Sequence, residues 1–188
     1  MYLILIGLIS LFGSAVILGF WAVAKYNTLI SFSALAKEAW SGVDVQLQRR
    51  YDLIPNLVAT VKQYGVHEKD VLENITKFRV AAMNAQNLQE KSAQESAFTG
   101  TLKTLFAVAE NYPELKANEN FLQLQKSLEA LESEIQIARR YYNGTIRNYN
   151  IAIQQFPANI IAKTTSFTPL SFFELNNAEG RNNPRVSF

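Results

Sequence analysis

His67 is the chain's single histidine, and Glu68 follows it, as in the opening of a His-Glu-x-x-His zinc site. That site needs a second histidine four residues after the first, so that both rings leave one helix face. Val71 stands there instead, so the pair reads as a surface feature or a structural hydrogen bond. Cysteine is absent, which excludes thiolate metal ligands, a cysteine nucleophile and disulfides. There is no glycine-rich phosphate loop, no Gly-x-Ser-x-Gly elbow and no kinase signature. No catalytic centre, metal or cofactor is expected.

Two arginine pairs are the remaining candidates, Arg49-Arg50 and Arg139-Arg140. Planar guanidinium groups could hold phosphate, phospholipid headgroups or a partner's carboxylates. Alternatively, they hold Asp52, Glu68 or Glu134 and fix helix packing. The second pair opens a run with Tyr142-Asn143 and Tyr149-Asn150, one heptad apart. Buried tyrosines need partners for their hydroxyls. These residues therefore suggest a polar layer inside a helical bundle, linking either Arg49, Arg50 and Asp52 or His67 and Glu68 to the last helix, with Glu68 and Arg139 or Arg140 as the pairing to test.

The elements that would position these groups are helical. Tyr2 to Ala24 carries no charge, and about 20 apolar residues span a bilayer core. A cleaved signal peptide is the rival reading, with Ala22-Val23-Ala24 resembling a cleavage site. The run lacks a basic leader and exceeds the usual apolar region of such peptides, about 7–15 residues, so a transmembrane anchor over residues 1–25 is expected. Tyr2 and Gly7 lie within it. Ala15 and Gly19 form a small-residue pair that permits close helix contact. Trp21 and Tyr26 fall where an interfacial aromatic belt belongs. Lys25 and Lys37 follow the span, so the positive-inside bias places the larger domain in the cytoplasm.

Beyond the anchor, apolar residues recur at three and four. They predict helices over about 26–50, 53–87, 92–111 and 118–156, with an irregular tail over 157–188. Asp52 would cap the second helix, with Pro55 in its first turn. Glu68 breaks the apolar register, so either that helix is interrupted at Gly65 or a carboxylate faces the core. Ser92 and Glu95 fit a capping box for the third helix. Asn118 caps the fourth, whose seam runs from Phe121 to Phe156 and contains Gly144. The tail is too aromatic for a disordered segment; it could pack on the bundle, touch the bilayer or touch a neighbouring subunit.

The strings QRRYDLIPNLVATVKQYGVHEK, YPELKANENFLQLQ, ARRYYNGTIRNYN and FPANIIA occur in this order and together resemble the LemA family of bacterial membrane proteins. That resemblance implies an N-terminal transmembrane helix and a helical bundle, and brings no enzymatic activity with it. Gly65 departs from it, since similar sequences carry Ala there, which puts the straightness of the second helix in question. The expectation is an all-α, single-pass protein of a bacterial cell membrane. Its partners would be the bilayer, copies of itself or another membrane protein. A net charge of +2 gives no basic stripe for nucleic acid. The competing expectation is a membrane-tethered ligand-binding or sensory module.

Overall fold

A computed structural model describes residues 1–64 and 68–174 of the chain. Among the described residues the fold is all-α. The helices are α1 (Tyr2–Gln63), α2 (Lys69–Met83), α3 (Leu88–Ala109), a single-turn α4 (Pro113–Lys116), α5 (Glu119–Gln154) and α6 (Ala158–Thr164). His67 and Gly65 lie outside the described residues.

The first departure from expectation is that no helix ends near Arg50. The helix α1 passes through Arg50, Asp52 and Pro55 to Gln63. A proline in a helix removes the N–H that would bond the carbonyl four residues earlier, here that of Tyr51. Arg79 of α2 replaces the missing donor: its Nε donates to the Tyr51 carbonyl at 2.8 Å. Asp52 is therefore no cap. It lies exposed and accepts a 2.8 Å hydrogen bond from Gln48 Nε2, one turn back.

The expected second helix is instead divided. The helix α1 closes on a tightened turn, with Tyr64 N–H donating to Val61 O at 3.2 Å, and α2 opens with Leu72 N–H donating to Glu68 O at 3.2 Å. Glu68 is exposed, so the register does shift rather than bury a carboxylate. Leu72, Ile75 and Ala82 become the buried face of α2. The start of α3 also moves, from Ser92 to Leu88. The string Asn87-Leu88-Gln89-Glu90 has the same Asx/Ser-x-x-Glu form as Ser92 to Glu95. Asn87 Oδ1 accepts from Glu90 N–H at 2.8 Å, while the Glu90 carboxylate accepts from Gln86 N–H at 2.9 Å. Asn118 does cap α5, accepting from Phe121 N–H at 2.9 Å. The tail is not wholly irregular, because α6 forms within it.

The described chain comprises two compact units. One contains Met1–Ser41 and Arg140–Phe172. Its core is Leu29, Tyr149, Ile153 and Ala162, flanked by Phe32, Ala152, Ile161 and Phe167. Tyr26 meets Phe167 edge-on at 6.0 Å, and Trp40 meets Tyr142 at 5.3 Å. Residues 1–20 are exposed throughout. This stretch makes α1 long and apolar enough to cross a membrane, with a mean hydropathy of 2.5 over its most apolar window.

The other unit contains Gly42–Arg139 and the chain from Phe173. Here α2 packs on α3. The core includes Val43, Leu47, Ile54 and Leu57 of α1, Phe98, Leu102 and Leu105 of α3, and Phe121, Leu128 and Ile135 of α5.

Candidate functional site

Ala36, Val43, Arg50 and Leu57 stand seven residues apart on α1, and all four are buried. Three of them are apolar. The fourth carries a guanidinium into the interior, with only 2% of Arg50 exposed. A charge so placed is tolerable only when it is paired and hydrogen-bonded.

Arg50 has such partners on two other helices. Its Nη2 donates to Glu95 Oε2 of α3. Its Nη1 donates to Glu132 Oε2 of α5 at 2.7 Å and to Thr99 Oγ1 at 3.2 Å. The guanidinium carbon lies 5.0 Å from the centroid of Phe98, a cation–π distance. Tyr51, the next residue on α1, donates its hydroxyl to Glu95 Oε1. Both carboxylate oxygens of Glu95 are thus engaged, and Glu95 is only 1% exposed. Arg50 Nε remains buried without a hydrogen-bond partner.

The opposing charges nearly balance. Arg50, Glu132 and Arg139 lie close enough to act on the ionisation of Glu95, and Arg50, Glu95 and Glu132 on that of Arg139. Burial pushes the Glu95 carboxyl up from 4.5 to about 7, against the pull of Arg50. Burial likewise pulls the Arg139 guanidinium below the ordinary arginine range, while Glu132 opposes that shift. Arg139 is half-buried and lies against Phe173: the ring centroid lies 5.0 Å from the guanidinium carbon, and Nη2 donates to Phe173 O at 3.5 Å.

The structure distributes the expected residues differently. Arg50 belongs to the charge layer; Arg49 is exposed. Asp52 and Glu68 face solvent, and Arg139 meets Phe173 rather than Glu68. Arg140 is exposed. His67 lies outside the described residues. The tyrosines and Asn150 of α5 serve a different purpose, which is to hold the extended tail. Tyr149 Oη donates to Thr168 O at 2.9 Å, and Tyr142 Oη donates to Ser171 O at 3.1 Å. Asn150 forms a two-way pair with Leu170: Nδ2 donates to its carbonyl and Oδ1 accepts from its N–H, both at 2.9 Å. Burial raises both phenols above their ordinary range, which keeps them as O–H donors. Asn143, between them, is half-buried.

Sequence reasoning does not reach Glu95, Glu132, Tyr51 and Thr99 as members. Phase was the available signal. Arg50 falls in step with Val43 and Leu57, and Glu95 in step with Leu102 and Ala109. A charged residue on an apolar repeat marks a buried pair in waiting. Of the anchor residues, Tyr2, Gly7, Ala15 and Gly19 are exposed, Trp21 is half-buried and Tyr26 lies against Phe167. Among the described residues no three His, Cys, Asp or Glu side chains gather as a metal site.

Residues 39–188 match the model of the LemA family, a range that contains the whole charge layer and begins after the apolar run. Among curated relatives, Magnetosome protein MamQ 2 of Paramagnetospirillum magneticum is 24% identical over 176 residues, covering 80% of this chain and 65% of that protein. Magnetosome protein MamQ of Magnetospirillum gryphiswaldense is 22% identical, covering 79% and 64%. Protein LemA of Metamycoplasma hominis is 25% identical over 161 residues, covering 84% and 72%. The chain spans just under two thirds of the length of the magnetosome relatives it matches.

Proposed function

The chain belongs to the LemA family, and from that premise we propose that it is a single-pass membrane protein without catalytic activity, whose helical domain works by contact with other proteins, copies of itself included. One observation carries this reading: the unusual polar groups are engaged internally. Arg50, Glu95 and Tyr51 bind one another, and Tyr142, Tyr149 and Asn150 bind the tail backbone. Side chains that would otherwise suggest a substrate site instead fix which helix faces remain outside. The apolar run of α1, exposed over residues 2–20, supports a bilayer as the surrounding medium. Lys25 and Lys37, just beyond it, favour a bacterial cell membrane protein with its helical domain in the cytoplasm.

Crosslinking in native membranes, followed by identification of the adducts, tests this function. Self-adducts or a recurrent membrane-protein partner are expected. A chain that stays monomeric by light scattering in detergent and yields no adduct contradicts the proposal.

A further inference from the structure

Phe156 continues the apolar seam of α5, yet it is 80% exposed. Four residues on, Ile160 of α6 is 57% exposed. Large apolar groups left out of a helical core call for an explanation when something apolar lies close by. Here the neighbour is determined within one unit. Along α1 from Trp40 to Leu29 the partners on α5 run from Tyr142 to Tyr149 and Ile153. The two helices are therefore antiparallel in this unit, and α5 advances toward the apolar end of α1. Leu29 lies only five residues after Ala24, the last residue of the uncharged run, or roughly 7–8 Å of helix. Phe156, three residues beyond Ile153, comes out at the border of that run. The loop after α6 returns to the same level, where Phe167 meets Tyr26.

The charge pattern agrees. Outside the apolar run, this unit carries Lys25, Lys37, Arg140, Arg147 and Lys163 against Glu38 alone. Such a basic excess beside a span favours anionic headgroups. Phe156 and Ile160 supply the apolar part of an interfacial contact, and Lys25 and Lys163, both exposed, supply the cationic part.

We infer that the turn from Phe156 to Ile160 is a second membrane contact, seated in the headgroup region of the bilayer that α1 crosses. This rests on the transmembrane reading of α1. The bilayer then holds the unit at two points: the α1 span and the end of α5.

The absence of native cysteine allows a direct test on the full chain. Single variants Phe156→Cys, Ile9→Cys and Val80→Cys are labelled with an environment-sensitive fluorophore. Each is reconstituted in phosphatidylcholine–phosphatidylglycerol vesicles and exposed to nitroxide-bearing lipids or aqueous iodide. The label at 156 is expected to lose most of its emission to lipids with shallow nitroxides and little to iodide. The label at 9 should be quenched by deep nitroxides, and the label at 80 by iodide only. Iodide quenching at 156 with lipid quenching at 9 overturns the inference and leaves the transmembrane reading intact. Iodide quenching at both positions overturns both.

Discussion

Arg50 and Glu95 form the contact on which packing around the charge layer depends. A buried ion pair need not add stability over apolar residues of similar volume, but removing one partner is costly. Arg50→Met is expected to destabilise the protein by about 3–5 kcal/mol, and adding Glu95→Leu to recover much of that loss. Denaturant unfolding of the detergent-solubilised chain, followed by circular dichroism, measures both. The elevated Glu95 carboxyl sets a pH dependence. Between 4.5 and about 7 the unfolded chain has released this proton while the folded chain retains it. Stability from this group is therefore highest below 4.5, falls as pH rises to about 7 and is level beyond. Melting temperatures across that range should show the fall in the native chain and lack it in Glu95→Gln. Equal slopes in both would assign the dependence elsewhere. None of this pairing was visible locally, since Arg50 and Glu95 are 45 residues apart. Ser92 and Glu95 resembled a helix start because a capping box and a buried helix face can share the same four letters.

Pro55 shows how a helix tolerates a breaker. The local reading treated it as a first-turn residue, a sound rule where no neighbour intervenes. Tertiary contact overrides the rule by supplying Arg79 Nε to the stranded Tyr51 carbonyl. A double-mutant cycle tests this. Arg79→Ala should cost about 1–3 kcal/mol in the native background, the penalty of an unsatisfied buried acceptor. In Pro55→Ala the restored N–H should remove most of that cost; equal costs in both backgrounds would exclude the assignment. Two further positions are suboptimal for backbone reasons. Gly144 lies inside α5 with open space where a Cβ would stand. Ser166 ends α6 at φ 62°, beside a Phe167 N–H that donates to Ala162 O at 3.0 Å, a helix ending that usually takes glycine. Gly144→Ala and Ser166→Gly should each raise stability by up to about 1 kcal/mol, read as a higher melting temperature. The long periodic elements were legible: α5 and its Asn118 cap lie where the seam put them. Helix ends set by distant side chains were not.

For the molecule as a whole, sequence and structure agree on the all-α class and on an N-terminal helix able to cross a membrane. Composition carried that much, because an uncharged run of this length has few soluble uses. The cytoplasmic side proposed for the helical domain rests on two lysines, Lys25 and Lys37. Val80→Cys, at an exposed position of α2, provides the measurement. If the domain is cytoplasmic, a membrane-impermeant maleimide should label it only after the cells are opened. Labelling in intact cells would reverse the topology.

The tail contacts have a bearing on how this sequence can drift. Tyr149, Asn150 and Tyr142 grip carbonyls and one N–H of the tail, atoms that every amino acid but proline supplies. The side chains at Thr168, Leu170 and Ser171 are exposed and take no part in these bonds, so they are free to vary. The gripping residues are not. A saturation library should accept most substitutions at 168, 170 and 171, reject proline at 170 because it lacks the N–H, and accept few at 150. The information that places the tail would then reside in α5, some twenty residues upstream of the segment it positions.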